Sequence, residues 1–126
     1  MAPPARILVV DDNQTLRALL GQALEAGGHV ALEAESAESA IEVLASDPPD
    51  LCLVDHHMPG MGGAALVRWL RASRDARLRG MPVIGLTGLE TAVRDLLGAG
   101  ADEAVRKPCG ERDLLSRVDR LLARRT

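Results

Sequence analysis

Five residues with chemically useful side chains stand directly after short apolar runs of the sequence. Asp11 and Asp12 follow the first run, and Asp55, Thr87 and Lys107 follow three later ones. Carboxylates brought within about 4 Å repel by roughly 4 kcal/mol per pair at an effective dielectric constant near 20, so they need a cation or a raised pKa. Oxygen ligands without a cage of His or Cys side chains favour Mg²⁺.

The hydroxyl and the ammonium would add an anion pocket to that metal site. Together with Mg²⁺, Thr87 and Lys107 would neutralise the oxygens of a phosphoryl group, which is most of what phosphoryl transfer requires. Asp55 is then left as the nucleophile. Lys107 is also the only lysine among 15 basic residues, and a compact ammonium suits a single anionic partner, whereas arginine presents a planar fork.

Strands and helices alternate in the predicted secondary structure. β-Branched and apolar runs predict strands, apolar residues at helical spacing predict helices, Ser36 suits an N-cap, and glycines at positions 27, 28, 98 and 100 are predicted to end helices. An Arg-rich stretch is read as a connection after the third helix. The strands are predicted over residues 6–10, 29–34, 51–54, 82–86 and 102–106, and the helical patterns over residues 16–24, 37–44, 65–70, 89–97 and 114–122.

This alternation predicts an α/β fold with a parallel sheet. Right-handed crossovers carry each helix back over the sheet, so helices cover both faces and all strands point the same way. Ligands of open α/β folds bind at the carboxyl edge, where the strand order reverses. We therefore expect the five reactive side chains to converge at that edge.

Composition predicts one domain and excludes several partners. With 126 residues, 47% of them hydrophobic, the chain suits a single core; we expect residues 1–5 to form a short tail and residues 6–124 to form the domain. A net charge of −3 gives no field for direct binding of nucleic acid or membrane. No apolar run spans a membrane and the start lacks an export signal, which favours the cytoplasm. Cys52 and Cys109 are predicted to be free thiols.

The strand-end residues are similar to those of one family. In their order, and with the sequence Asp55-x-x-Met58-Pro59-Gly60 between them, they resemble the receiver domains of response regulators in bacterial two-component signalling. The resemblance extends over about residues 6–122. It implies a flavodoxin-like (βα)5 fold: a doubly wound five-stranded parallel sheet in strand order 2-1-3-4-5, with helices on both faces.

The resemblance also implies a phosphoacceptor in phosphorelay signal transduction. Asp55 would accept a phosphoryl group from the phosphohistidine of a sensor histidine kinase or a histidine phosphotransfer protein. Mg²⁺ would be bound by Asp12 directly, by Asp11 through water, by Asp55, and by the backbone carbonyl of His57. Such a domain assists its own phosphorylation and dephosphorylation rather than acting on an external substrate. It regulates a partner protein or an attached domain that the sequence does not identify.

Further roles around the acceptor follow from the same resemblance. Thr87 would hydrogen-bond to the phosphoryl oxygens, and Lys107 would pair with their charge. The Lys107–Pro108 peptide bond is expected to be cis. His57 and Leu89 would flank the hydrolytic water, so we expect them to set the phosphate lifetime.

Ala104 departs from the family pattern. It stands three positions before the lysine, where the family has an aromatic residue that swings inward on phosphorylation, and the chain contains no Phe or Tyr. We therefore expect a muted switch, carried by the backbone and by displacement of the fourth predicted helix. The departure leaves an alternative open: a pseudo-receiver that acts as a constitutive protein–protein interaction module. Mg²⁺ affinity and labelling by a small acyl phosphate separate the two.

Overall fold

Strands and helices alternate along residues 4–124, which are the residues described by the computed structural model. Residues 1–3 of the predicted tail lie outside this range. Ala5 is already buried, and its backbone pairs with Val30 and with the His29 side chain. The elements are β1 (Arg6–Val10), α1 (Gln14–Ala26), β2 (Val30–Ala34), α2 (Ala37–Ser46), β3 (Leu51–Asp55), α3 (Gly63–Arg71), α4 (Ala76–Arg79), β4 (Val83–Thr87), α5 (Glu90–Ala99), β5 (Glu103–Arg106) and α6 (Glu111–Ala123).

The five strands form one parallel sheet in the order β2-β1-β3-β4-β5, which confirms the predicted fold class. In register, Ile7 pairs with Leu51, and Cys52 pairs with Val83. Every residue of β3 and β4 is buried. Buried parallel strands need continuous apolar sequence because helices cover both faces, and this is why these strands were recognisable.

The core has two aliphatic layers, one on each face of the sheet. Neighbouring strand residues point to opposite faces, so Leu8 packs with helices α2, α3 and α5, whereas Ile7 packs with α1 and α6. Cys52 lies in the first layer, and burial raises the pKa of its thiol to about 12. Cys52 and Cys109 are both free, as predicted.

Local signals explain several helix ends. The Asn13 side chain caps α1, and Ser36 caps α2 in a capping box with Ser39. Gly100, with φ 114°, ends α5 in the left-handed conformation that favours glycine. The prediction that Gly98 ends this helix was wrong, since α5 continues to Ala99.

The Arg-rich connection folds into the short helix α4, which the sequence analysis missed. Two arginines of this region bind backbone carbonyls: Arg71, the last residue of α3, donates to those of Gly100, Arg79 and Met81, and Arg77 of α4 donates to that of Pro48. The contacts with Gly100 and Pro48 join segments 29 residues apart in sequence, so no local pattern predicts them. Among residues 4–124, no helix combines the length and apolar character needed to cross a membrane.

Candidate functional site

The strand-end residues converge as predicted at the carboxyl edge of the sheet. Asp11 follows β1, Asp55 ends β3, Thr87 ends β4, and Lys107 follows β5. An open cavity of about 420 Å³ lies between them. It is lined by Asp11, Asp12, Asn13, Leu16, Asp55, His57, Thr87, Gly88, Leu89 and Lys107. The cavity therefore includes every residue that the sequence analysis assigned to the site.

Three carboxylates form an acidic cluster in this cavity. One oxygen from each of Asp11, Asp12 and Asp55 lies within 4.8 Å of the other two. Asp11 is 1% exposed and Asp55 is 6% exposed, whereas Asp12 is exposed to solvent. Burial raises the pKa of the Asp11 carboxyl above its ordinary value; the hydrogen bond from the Asn13 amide opposes this shift, and the Asp55 charge adds to it.

The acidic cluster fits a hard divalent cation. Asp11 Oδ1 accepts a hydrogen bond from the Asn13 amide at 2.9 Å, but Asp11 Oδ2 is buried without a hydrogen-bond partner among the described residues. Buried polar atoms are rarely left in this state. An all-oxygen set of this kind matches the preference of Mg²⁺ for one or two carboxylates together with water and phosphate oxygens.

Lys107 supplies the positive charge of the cavity. Its Nζ lies 2.6 Å from Asp55 Oδ1 and 3.7 Å from Asp11 Oδ2. The Lys107 amide donates to the Thr87 carbonyl at 2.8 Å, which joins the ends of β4 and β5. The Lys107–Pro108 peptide bond is cis, as expected.

Thr87 lies in the cavity wall and is 3% exposed. Its Oγ1 accepts a hydrogen bond from the Leu89 amide at 3.0 Å. The donor contact of the same hydroxyl, to the Leu89 carbonyl, is long at 3.5 Å. A hydroxyl whose proton is held this weakly is free to donate to an anion in the cavity.

The two adjacent histidines diverge. His57 is exposed and lines the cavity, as does Leu89. His56 instead approaches helix α5, where its Nε2 lies 3.6 Å from Asp95 Oδ2. The role of the His57 backbone carbonyl as a metal ligand remains a prediction.

Gly63 lies against the backbone of Asp55, behind the cavity, and was not predicted from the sequence to matter for the site. A Cβ at this position would collide with the carbonyl oxygen of Asp55, and the Gly63 amide donates to the His56 carbonyl at 3.0 Å. Glycine therefore lets helix α3 begin directly behind Asp55. The Gly62-Gly63 pair, at the start of helix α3, is the only local sign of this requirement in the sequence.

Comparison with known proteins agrees with this geometry. The family described as response regulator receiver domain matches residues 7–119. The phosphate regulon transcriptional regulatory protein PhoB of Pseudomonas aeruginosa is 38% identical over 120 residues, covering 94% of this chain and 52% of PhoB. The response regulator MprA of Mycolicibacterium vanbaalenii is 35% identical over 125 residues, covering 98% of this chain and 52% of MprA. The chain thus spans about half the length of these curated relatives.

Solved structures show the same similarity. The signal receiver domain of a signal transduction histidine kinase from Syntrophus aciditrophicus is 39% identical with a TM-score of 0.88, covering 94% of this chain and 90% of that one. A putative response regulator from Chloroflexus aurantiacus is 30% identical with a TM-score of 0.90, covering 95% and 98%. The chain therefore belongs to the family of response regulator receiver domains.

Proposed function

We propose that residues 6–124 form a working receiver domain in which Asp55 accepts a phosphoryl group. The observation that carries this proposal is the arrangement around Asp55: Lys107 Nζ lies 2.6 Å from it, and oxygens of Asp11 and Asp12 lie within 4.8 Å. Receiver domains bind Mg²⁺ at such an acidic cluster. We assign the cation to Asp11, Asp12, Asp55 and the His57 carbonyl.

Each residue of the cavity has a separate role in phosphoryl transfer. A bond forms between phosphorus and an Asp55 oxygen, while the bond to the donor histidine nitrogen breaks and that nitrogen keeps the electron pair and takes up a proton. Lys107 neutralises the acceptor before transfer and the phosphoryl oxygens afterwards, and the Thr87 hydroxyl donates to those oxygens. Bound Mg²⁺ supplies further positive charge. The same groups would assist dephosphorylation, so the domain acts on its own acyl phosphate and needs no other substrate.

The phosphodonor is a sensor histidine kinase or a histidine phosphotransfer protein, which places the function in the cytoplasm. The downstream partner is a protein or an attached domain. We expect no direct contact of this domain with nucleic acid, because the net charge is −3 and Arg71 and Arg77 bind backbone carbonyls. PhoB is named a transcriptional regulatory protein, and that output concerns a protein about twice as long as this chain.

Intact mass spectrometry tests the acceptor. The protein is incubated with a small acyl phosphate in Mg²⁺ or in EDTA, and Asp55→Asn is treated in parallel. The native protein should gain the mass of one phosphoryl group in Mg²⁺ only, and Asp55→Asn should gain none. Asp47→Asn is the matched control, because Asp47 is 74% exposed and pairs with Arg6, outside the cavity; it should behave as the native protein does.

Two results would overturn the proposal. Asp55→Asn could gain the phosphoryl mass as readily as the native protein, in which case the acceptor is another residue. Alternatively, the native protein could bind no Mg²⁺ and gain no mass. That second result would favour the constitutive interaction module, whose pocket would be vestigial.

A further inference from the structure

Arg17 holds the loop that carries the acidic pair. It lies in the first turn of α1, and its Nη1 donates to the backbone carbonyl of Asp11 at 2.8 Å. Its Nε pairs with Glu33 Oε1 on β2 at 2.9 Å. The Arg17 side chain is only 13% exposed. A guanidinium bound on two sides by different elements is a fixed structural group, because its planar fork of donors defines the direction of each partner.

The Asp11 carbonyl belongs to the peptide group that joins Asp11 to Asp12. Because this group is planar, fixing the carbonyl also fixes the Asp12 amide and constrains the direction in which the Asp12 side chain leaves the backbone. Asp11 is further held by its amide, which donates to Ala34, and by Oδ1, which accepts from Asn13. Within residues 4–124, the exposed Asp12 carboxylate has no hydrogen bond or ion pair of its own. Its position therefore depends on the backbone that Arg17 holds.

Arg17 acts on a cation at this site in two opposite ways. Its positive charge repels the cation, whereas its hydrogen bond keeps the metal-binding loop in place. Contacts that orient metal ligands typically change metal affinity about 10-fold to 100-fold. The repulsion is reduced by the Glu33 carboxylate, which neutralises the guanidinium at 2.9 Å, and by screening in salt. Removing Arg17 should therefore weaken Mg²⁺ binding if positioning dominates, and strengthen it if charge dominates.

We propose that Arg17, oriented by Glu33, is a positioning residue that fixes the Asp11–Asp12 peptide and thereby sets the Mg²⁺ affinity of the acidic cluster. This inference rests on the proposed function, since it concerns the metal site of the same cavity. Arg17 does not contact the metal or the phosphoryl group in this scheme. Its effect passes through the backbone of the loop.

Isothermal titration with Mg²⁺ tests this role in the native protein and in the variants Arg17→Gln, Arg17→Lys and Glu33→Gln. Arg17→Gln should bind Mg²⁺ about 10-fold more weakly than the native protein. Arg17→Lys keeps the charge but lacks the fork, so its affinity should lie between these two. Glu33→Gln keeps Arg17 but loosens its orientation, and should weaken binding by a smaller factor. Thermal unfolding in EDTA reports the stability of each variant separately.

Arg6→Gln is the matched control. Arg6 also joins a carboxylate and a backbone carbonyl, pairing with Asp47 at 2.8 Å and donating to Pro48 at 3.3 Å, but it lies at the opposite end of β1. Its replacement should change the melting temperature and leave the Mg²⁺ affinity at the native value. A loss of affinity in this control would show that Mg²⁺ binding simply follows stability, and would overturn the inference.

The remaining outcomes separate the inference from the proposed function. If the native protein binds no Mg²⁺, the proposed function fails. If the native protein binds Mg²⁺ and Arg17→Gln binds it equally well or more tightly, only the role of Arg17 fails. Should Arg17→Gln not fold, Glu33→Gln decides the matter, because Glu33 is half exposed and its replacement is mild; native affinity in that variant would overturn the inference.

Discussion

The two edges of the sheet carry the same type of residue in opposite situations. At the amino edge, Asp50 accepts from the Arg6 amide at 2.8 Å, and Asp102 accepts from the Val83 amide at 2.8 Å and from Arg71 at 3.1 Å. Each carboxylate there takes the backbone N–H at the start of a neighbouring strand. These aspartates complete the hydrogen bonding of the fold.

At the carboxyl edge the aspartates lie close together and accept fewer hydrogen bonds than those at the amino edge. Asp11 Oδ2 has no hydrogen bond among the described residues, burial raises the Asp11 pKa, and Asp55 relies on its contact with Lys107. Both edges of the sheet therefore carry aspartates, and they differ in the number of hydrogen-bond donors that reach the carboxylates. A buried carboxylate without enough N–H donors indicates a place for a ligand, whereas a satisfied one indicates a structural role.

Asp102→Ala should destabilise the amino edge of the sheet without affecting the cavity at the carboxyl edge. The variant loses the hydrogen bonds to the Val83 amide and to Arg71, both of which involve a charged group. We expect the free energy of unfolding to fall by about 3 kcal/mol in urea denaturation. Mg²⁺ affinity should not change in the folded variant. A parallel loss of Mg²⁺ affinity would mean that the two edges are not independent.

Asp11→Asn should have the opposite effect on stability: it should make the metal-free protein more stable, whereas Asp102→Ala makes it less stable. Because the pKa of Asp11 is raised in the folded protein, its charge destabilises the fold above that pKa, and this cost disappears as the pH falls through it. We expect the metal-free variant to be more stable than the native protein at neutral pH, because it carries no buried charge at this position. The difference should vanish in acid, and Mg²⁺ should stabilise the variant less. Equal stability at neutral pH would contradict this account.

His57→Ala and Leu89→Ala should shorten the life of the phosphorylated state. Both side chains line the cavity, and Leu89 is 58% exposed, so they limit the approach of water. We expect dephosphorylation to become about threefold faster, a change worth less than 1 kcal/mol in the barrier. Leu97→Ala is the control, since Leu97 is also exposed on α5 but does not line the cavity. Unchanged dephosphorylation rates in both cavity variants would contradict the prediction that these two side chains limit the approach of water.

The smallest effect is expected far from the cavity. Ala104 is half buried on β5, paired with Gly85, and has no large side chain to move. Addition of Mg²⁺ and beryllium fluoride, as a phosphoryl mimic, should therefore cause only small NMR chemical-shift changes in α5 and α6. Large two-state changes there would show that the switch works fully without the aromatic residue.

The fold and the site could be predicted where the signal lies in a short stretch of sequence, such as an apolar strand and the residue at its end. The strands β3 and β4 are buried throughout and so read as continuous apolar runs, and each ends at a site residue. Because parallel strands share a carboxyl edge, locating those ends was enough to bring Asp55, Thr87 and Lys107 together. Strand boundaries differed by one residue: β4 begins at Val83, one residue after the predicted start.

What escaped prediction depends on contacts between distant segments. Arg17 donates a hydrogen bond to the Asp11 carbonyl and forms an ion pair with Glu33. Nothing in the sequence spacing of these three residues distinguishes Arg17 from an arginine that is exposed to solvent. The helix α4 is only four residues long, too short to show a period. Gly63 is required by the closeness of the Asp55 backbone, which only the folded chain brings near.

The contact of the single lysine with Asp55 gives the domain an unusual covalent handle. Its ε-amino group lies 2.6 Å from a carboxylate oxygen, which suits a zero-length cross-linker. A carbodiimide would activate Asp55, and attack by the amine would release the urea and leave an isopeptide bond across the cavity. The product would be a cross-linked domain whose Asp55 carboxylate is permanently blocked, so that, if Asp55 is the acceptor as proposed, it would serve as an inert competitor in kinase assays.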